Sequence, residues 1–122
     1  MTVIVIDMPA QISNDPHSTP SVNPDTVDPL ATVEVNYHFT LANLGDEPGT
    51  TTGWYWTLDG PDGTIRHSDF IKDTTLEPGA TYETGGYIDK DVVTALEPGT
   101  SWVSLRDPSG NTMAGASLVV TE

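Results

Sequence analysis

A short turn motif that occurs twice constrains the fold of this 122-residue chain more than any other feature. The motif Leu-Glu-Pro-Gly occupies residues 76–79 and again residues 96–99, and a strand-like segment follows each copy. Proline fixes φ at the first central position of a type II turn, and glycine supplies the positive φ that the second position requires. The leucine before each turn can pack into a core. The two turn motifs therefore favour a fold of short strands joined by tight turns.

The clearest strand signal lies at residues 33–41, where apolar and polar side chains alternate strictly. Such alternation is typical of a strand with one buried face. Further strands are predicted at residues 2–6, 52–58, 64–71, 80–88, 102–106 and 112–121. Only residues 89–96 could form a helical turn, and the Gly85-Gly86 pair indicates a bulge or a close backbone approach. We therefore predict an all-β fold, a single immunoglobulin-like antiparallel β-sandwich of about seven strands with Greek-key connections.

The apolar positions of these strands define a predicted core. Trp56 is expected to fill the space between the two sheets, and Tyr55 to be the exposed aromatic beside it. The full set of predicted core residues is Val33, Val35, Tyr37, Phe39, Leu41, Trp56, Leu58, Leu96, Trp102 and Leu118.

The first thirty residues differ from the rest of the chain. Residues 8–30 carry five prolines, which exclude a helix or a central strand. We interpret residues 1–30 as an N-terminal strand with a proline-rich surface arm that could embrace a neighbouring subunit, and residues 31–122 as the sandwich. The alternative is an ordinary crossover that follows a sheet edge. Residues 1–7 lack the basic start and long apolar run of a secretory signal, and no segment is long enough to cross a membrane.

Two domain families resemble parts of residues 31–121. The strand at residues 35–42 ends in Asn43-Leu44-Gly45, residues 56–60 read Trp-Thr-Leu-Asp-Gly, and Leu-Glu-Pro-Gly follows at 76–79. This order resembles the bacterial and archaeal cell-adhesion-related domains known as CARDB. The second motif, with Trp102 after it, resembles the corner before the sixth strand of fibronectin type III domains. The resemblance implies a sandwich without a shared active site, and it implies that the indole N–H of Trp102 replaces the corner tyrosine as donor.

Charge and composition exclude several classes of partner. The chain carries 18 acidic and 4 basic residues, a formal net charge of −14. Nucleic acids and anionic membranes both require a basic surface, so we expect neither as a partner. The acidity fits solubility through self-repulsion, life in high salt, or a basic surface on a protein partner. No cysteine is present, which removes disulfides, thiolate metal sites and cysteine nucleophiles.

No arrangement of residues points to catalysis. His67-Ser68-Asp69 contains the residue types of a triad, but neighbours on a strand point to opposite faces and cannot converge. The three histidines are isolated in sequence and lack the spacing of metal ligands. The weak candidates for a calcium site are Asp59, Asp62, Asp89 and Asp91. We therefore expect no enzymatic activity and no cofactor.

These features predict a non-catalytic structural or interaction protein. The favoured interpretation is an accessory protein on the surface of a virion, decorating the capsid or tail of a tailed phage or an archaeal virus, by analogy of fold. The alternative is an adhesion or carbohydrate-binding module of a larger cell-surface protein. The expected partner is a protein in a larger assembly, a second copy of the chain included. The candidate partner-binding residues are Ile4, Ile6, Pro16, Pro20, Pro24 and Tyr55.

Overall fold

A computed structural model describes residues 9–28, 30 and 34–121 of the chain. These residues form eleven strands and one helix. The elements are β1 Ile12–Asn14, β2 Ser21–Asn23, β3 Thr26–Val27, β4 Val35–Asn43, β5 Gly49–Thr50, β6 Tyr55–Asp59, β7 Ile65–Phe70, β8 Thr75–Leu76, β9 Thr81–Ile88, α1 Lys90–Thr94, β10 Gly99–Arg106 and β11 Thr112–Val120.

Two main sheets face each other across one core. The first contains β4, with β9 along one side and β1 and β2 along the other. The second has the order β3-β11-β10-β6-β7, and β5 and β8 form a separate pair. A single cluster of buried apolar side chains draws on both sheets. The ring of Tyr37 in β4 lies 4.4 Å from that of Trp56 in β6, so the two sheets are in direct contact.

The strand predictions from residue 52 onward each match an observed strand. The number of strands is larger than the predicted seven because residues 9–28 add three short strands and the loops add the two-residue β5 and β8. The predicted helical turn forms as α1, and the Asp89 carboxylate accepts a hydrogen bond from the Asp91 N–H at its start. The predicted strand at residues 2–6 and the core residue Val33 lie outside the described residues.

The described part of the proline-rich segment pairs with both sheets. β1 and β2 are antiparallel to β4, whereas β3 is parallel to β11. Val22 and Val27 are buried in the common core. The prolines lie outside the strands themselves, where the missing N–H removes no ladder bond. Residues 9–28 thus contribute edge strands to both sheets.

The core prediction is correct for seven of the ten positions and wrong for Trp102. Val35, Phe39, Leu41, Trp56, Leu58, Leu96 and Leu118 are buried. Tyr37 is half-buried, whereas the Trp102 side chain is 48 % exposed. Ser101 and Val103 on either side of Trp102 point inward, so the pleat turns the indole to the opposite face. Its position after the second turn motif therefore does not make Trp102 a core residue.

The first turn motif and the Asn-Leu-Gly motif meet around Asn43. The Ala80 N–H donates to the Glu77 carbonyl at 2.9 Å, and Gly79 has φ +78°, which closes a type II turn. The fully buried amide of Asn43 donates to the carbonyls of Leu76 and Glu47. The two motifs that carry the resemblance are thus hydrogen-bonded to each other.

Candidate functional site

The outward face of the five-stranded sheet carries most of the exposed large apolar side chains of the described residues. Eight large apolar side chains are exposed in the described part of the chain, and five of them belong to this surface. We call it the outer sheet face. Its exposed apolar residues are Ile65, Phe70, Trp102, Met113 and Val119. Several exposed apolar residues on one face, unlike residues scattered singly over the surface, favour an interaction surface.

Strand pleating and register place these residues together. In β10 the buried Val103 and Leu105 alternate with the outward Trp102, Ser104 and Arg106. Directly paired residues on antiparallel strands share a face. Trp102 pairs with Asp59, and Arg106 pairs with Tyr55.

The register extends this surface to β7. Tyr55 pairs with Phe70, and Asp59 pairs with Ile65 beyond a register shift. The outer sheet face therefore runs without interruption across β10, β6 and β7.

Arg106 holds a polar network at the centre of the outer sheet face. Its Nε donates to Thr57 Oγ1 at 3.1 Å, and its Nη1 donates to the Gly110 carbonyl at 3.2 Å. Its Nη2 lies 3.3 Å from Asp59 Oδ2, which also accepts a hydrogen bond from the Ser104 hydroxyl at 3.0 Å. These bonds hold the guanidinium against the sheet, and its remaining N–H groups are not used by them. Such a rigid donor can serve recognition without losing much side-chain entropy.

Aromatic rings lie on both sides of this network. A Cβ built on Gly115 would be in ordinary contact with Cε3 of Trp102 at 3.7 Å, so the indole lies beside this residue of the adjacent strand. On the other side, the rings of Tyr55 and Phe70 meet edge-on at a centroid distance of 6.2 Å. These two residues, with Ser68 and Asp69, line a cavity of about 230 Å³. The outer sheet face thus combines two aromatic anchors with a fixed arginine.

The charge of this face differs from that of the whole chain. Asp59 is the one carboxylate at the outward positions of β6, β7, β10 and β11 within the described residues, and Arg106 and Ser104 engage it. The other arginine, Arg66, forms ion pairs with Asp62 at 3.1 Å and Glu97 at 3.0 Å. In a chain of net charge −14, the outward positions of these strands therefore carry one carboxylate, which is ion-paired, and Asp69 lies exposed beside them in the cavity next to Tyr55 and Phe70.

Replacing Arg106 with methionine should lower the free energy of unfolding by about 2 kcal/mol, because Asp59 would remain largely buried without its partner. Arg106→Lys keeps a positive charge and should recover only part of this stability, since an ammonium group cannot contact Thr57, Asp59 and the Gly110 carbonyl at once as the guanidinium does. Urea unfolding followed by tryptophan fluorescence measures both values. Equal stability of the methionine variant and the native chain would show that the network contributes nothing to folding.

The residue types of a hydrolytic triad do not converge. His67 and Asp69 lie opposite the inward-facing Leu58 and Trp56, and Ser68 lies opposite the outward-facing Thr57. The His67 ring packs against Trp56 at 5.2 Å between centroids. The alternation predicted from the sequence is therefore the one observed.

The four calcium candidates have other partners or lie apart. Asp59 binds Arg106, and Asp89 caps α1. Hydrogen bonds from the Thr64 hydroxyl and N–H hold the pKa of Asp62 below its ordinary value. No three His, Asp or Glu side chains gather as a metal site anywhere in residues 9–28, 30 and 34–121.

The predicted partner-binding residues do not form one surface. Tyr55 lies on the outer sheet face, but it is half-buried there and not exposed, whereas Trp54 and Trp56 on either side of it are buried. Pro20 lines a cavity of about 260 Å³ together with Ser117, the cross-strand partner of Trp102.

The other candidates lie elsewhere. Pro16 is exposed in the turn after β1, and Pro24 is half-buried between β2 and β3. Ile4 and Ile6 lie outside the described residues.

Sequence reasoning missed Phe70 and Arg106 as surface anchors. The alternation of Trp102, Ser104 and Arg106 against Val103 and Leu105 was the signal for the face of β10.

Solved structures share this fold at low sequence identity. No protein-family model and no curated protein matches the chain. It is similar to the Pseudomonas fluorescens alkylpurine DNA glycosylase AlkC bound to abasic-site DNA, with a TM-score of 0.67 and 17 % identity over 93 % of this chain and 31 % of that one. It is also similar to β-glucosidase 3B from Thermotoga neapolitana, with a TM-score of 0.63 and 17 % identity over 93 % of this chain and 16 % of the enzyme.

A β-glucosidase from Erythrobacter marinus gives a TM-score of 0.62 at 15 % identity, over 92 % of this chain and 16 % of the enzyme. At these identities the likeness establishes the fold alone. The chain spans less than a third of each of these proteins. No helix among the described residues has the length and apolar character to cross a membrane.

Proposed function

We propose that this chain is a non-catalytic interaction domain of the immunoglobulin-like class, which docks on a partner protein through its outer sheet face. The facing sheets and the hydrogen-bonded Asn-Leu-Gly and Leu-Glu-Pro-Gly motifs support kinship with the CARDB and fibronectin type III sandwiches. The similar solved structures support a domain role, since the fold accounts for only 16–31 % of those longer chains.

The observation that carries the proposal is the composition of the outer sheet face. Protein interfaces are enriched in aromatic residues, methionine and arginine and depleted in charged residues at their centre. Trp102, Tyr55, Phe70 and Met113 surround the fixed Arg106 in this way. Tryptophan, tyrosine and arginine are also the residues in which binding energy concentrates. The acidic remainder of the surface favours a partner with a basic rim around an apolar centre.

A pair of matched variants tests this surface. Trp102→Ser should reduce the amount of partner that co-purifies from the native source at least about tenfold, a loss typical of one interface anchor. Leu44→Ser is the control, because Leu44 is 44 % exposed, close to the 48 % of Trp102, and lies in a loop away from the outer sheet face. Equal co-purification by the two variants, each with a native circular dichroism spectrum, would contradict the proposal.

The same experiment separates the biological settings. An accessory protein of a phage or archaeal virion should sediment with particles, and Trp102→Ser should move it to the free fraction. A module of a larger cell-surface protein should instead be found within a longer polypeptide in the envelope fraction. We favour the virion setting on the fold analogy, and the particle fraction is its test.

A further inference from the structure

We propose that β9 is a second docking site, at which an extended segment of a partner protein adds as a further strand and places a basic side chain over Tyr37. β9 pairs with β4 through eight residues without a register shift, and no described residue pairs with its other side. Extended segments bind such edges through main-chain hydrogen bonds, and alternate side chains supply specificity. This site is separate from the outer sheet face.

The hydrogen-bond pattern shows which backbone groups of β9 are free. The Asn43 N–H donates to the Ala80 carbonyl, which fixes residue 80 as a hydrogen-bonded partner of β4. In an antiparallel ladder such pairs alternate with pairs whose groups point away. With the observed register, the N–H and C=O groups of Thr81, Glu83, Gly85 and Tyr87 therefore point away from β4. All four residues are exposed.

The β7 edge of the five-stranded sheet is protected by comparison. The pairing of β7 with β6 contains a register shift, and β7 carries two charged residues, Arg66 and Asp69, which discourage the addition of a strand. The N–H of Phe70 is already occupied, because it donates to Asp69 Oδ1 at 2.9 Å. β9 has no such shift, no proline and no lysine, and its single charged residue is Glu83. Of these two edge strands, β9 is therefore the one that can accept an added strand.

Gly86 leaves a gap in the row of β9 side chains, and the ring of Tyr37 lies against it. A Cβ on Gly86 would lie 3.4 Å from the Tyr37 hydroxyl oxygen, so the ring of Tyr37 extends beneath the glycine. An added strand would place one residue beside Gly86 on the same face, at the close spacing of a non-hydrogen-bonded pair. That side chain would lie over Tyr37, which packs on Trp56.

The surroundings of the gap favour a cation. Burial raises the pKa of Tyr37 above its ordinary value, and the nearby negative charge of Asp69 adds to the increase. A lysine or arginine beside Gly86 would lie next to the Tyr37 hydroxyl group, with the negative charge of Asp69 nearby. The net charge of −14 attracts the same kind of segment. The occupant is therefore an extended, β-branched partner segment with a central basic residue.

Two labelled peptides test this inference. One is a short synthetic peptide of alternating threonine and valine with a central lysine, and the other has glutamate in place of the lysine. Fluorescence anisotropy should show that the native chain binds the lysine peptide at least about tenfold more tightly than the glutamate peptide. Asp69→Asn should reduce this preference. Equal binding of both peptides, or no binding of the lysine peptide up to about 1 mM, would overturn the proposal.

Variants of Glu83 test the backbone contact itself. Glu83→Pro removes an outward N–H and should weaken the lysine peptide at least about tenfold, whereas Glu83→Ala removes the same charge and should retain binding. Tryptophan fluorescence and thermal unfolding confirm that both variants fold. Gly86→Val is a second variant that should block the partner side chain, and it leaves every backbone donor in place. Equal binding by the proline and alanine variants would refute strand addition.

Two further measurements distinguish the β9 edge from the outer sheet face and from a dimer interface. Trp102→Ser should leave peptide binding unchanged, so failure of the outer sheet face and failure of β9 give different results. Sedimentation of the free protein tests a second copy of the chain as the occupant. A dimer that Glu83→Pro dissociates and Glu83→Ala preserves would assign β9 to that second copy and overturn the partner-segment proposal.

Discussion

Replacement of Asn43 by alanine should lower the free energy of unfolding by about 4 kcal/mol, because several buried polar groups would lose their partners at once. The Asn43 side chain donates to the carbonyls of Glu47 at 2.7 Å and Leu76 at 2.9 Å. Its oxygen accepts hydrogen bonds from the N–H groups of Gln11 at 3.1 Å and Gly45 at 3.0 Å. The side chain thus ties together the segment before β1, the loop after β4 and the turn before β9.

The size of this effect follows from burial. Asn43 has no exposed surface, and its hydrogen bonds with the Leu76 carbonyl and the Gly45 N–H are buried, so water reaches these two partners only if the loop opens. A buried donor or acceptor left unpaired costs about 1–3 kcal/mol, and partial rearrangement of the loop recovers some of that cost. The backbone at Gly45 packs so closely on Pro9 that any side chain there would overlap the Pro9 carbonyl oxygen. This close packing limits the rearrangement of the loop.

Two further variants make the Asn43 prediction specific. Asn43→Asp keeps the shape and the acceptors but removes both donors, so it should destabilise the fold by a similar amount. Asn36→Ala, on the exposed face of the same strand, should change the free energy of unfolding by less than about 0.5 kcal/mol. Denaturant unfolding followed by tryptophan fluorescence measures all three. Similar stability of the Asn43 and Asn36 variants would show that the loop does not depend on the amide.

Replacement of Phe39 by alanine should cost about 3–5 kcal/mol, the range for deleting a buried aromatic side chain. Phe39 is 1 % exposed at the centre of β4, and its ring lies 6.0 Å from that of Tyr37. The variant loses the transfer free energy of the ring and leaves a cavity between the sheets. Such a loss is a large fraction of the roughly 5–15 kcal/mol that stabilises a domain.

His38→Ala provides the control for Phe39, because His38 points to the opposite face of β4 and is only half-buried. Its effect should stay within about 1 kcal/mol. Thermal and denaturant unfolding of both variants give the comparison. An unchanged midpoint for Phe39→Ala would mean that the predicted face of the strand is wrong.

Local patterns predicted much of the scaffold. Strict alternation identified β4 and the burial of Val35, Phe39 and Leu41, because a pleated strand repeats every two residues. The proline–glycine pair predicted the turn at residues 76–79, because the φ values it needs are properties of those two residues. Both inferences depend on interactions over a few neighbouring residues.

The candidate site was predicted only in part. Tyr55 was expected to be the exposed aromatic, and it lies on the outer sheet face. Trp102 was assigned to the core because its turn motif resembles a corner that is followed by a packed aromatic. The network between Arg106 and Asp59 joins residues 47 positions apart, so no local sequence pattern predicts it.

The amino-acid sequence by itself determined that this chain forms short strands with two distinct faces, where its first Pro-Gly turn lies, and that its surface is strongly acidic. Those are consequences of residue geometry and formal charge. Only the tertiary structure decided which face of β10 meets the opposite sheet, that Arg106 and Asp59 neutralise each other, and that the outer edge of β9 is left without a partner among the described residues. The physical reason is that a pleated strand always offers two faces and two edges, and the packing of distant strands selects which of them are covered.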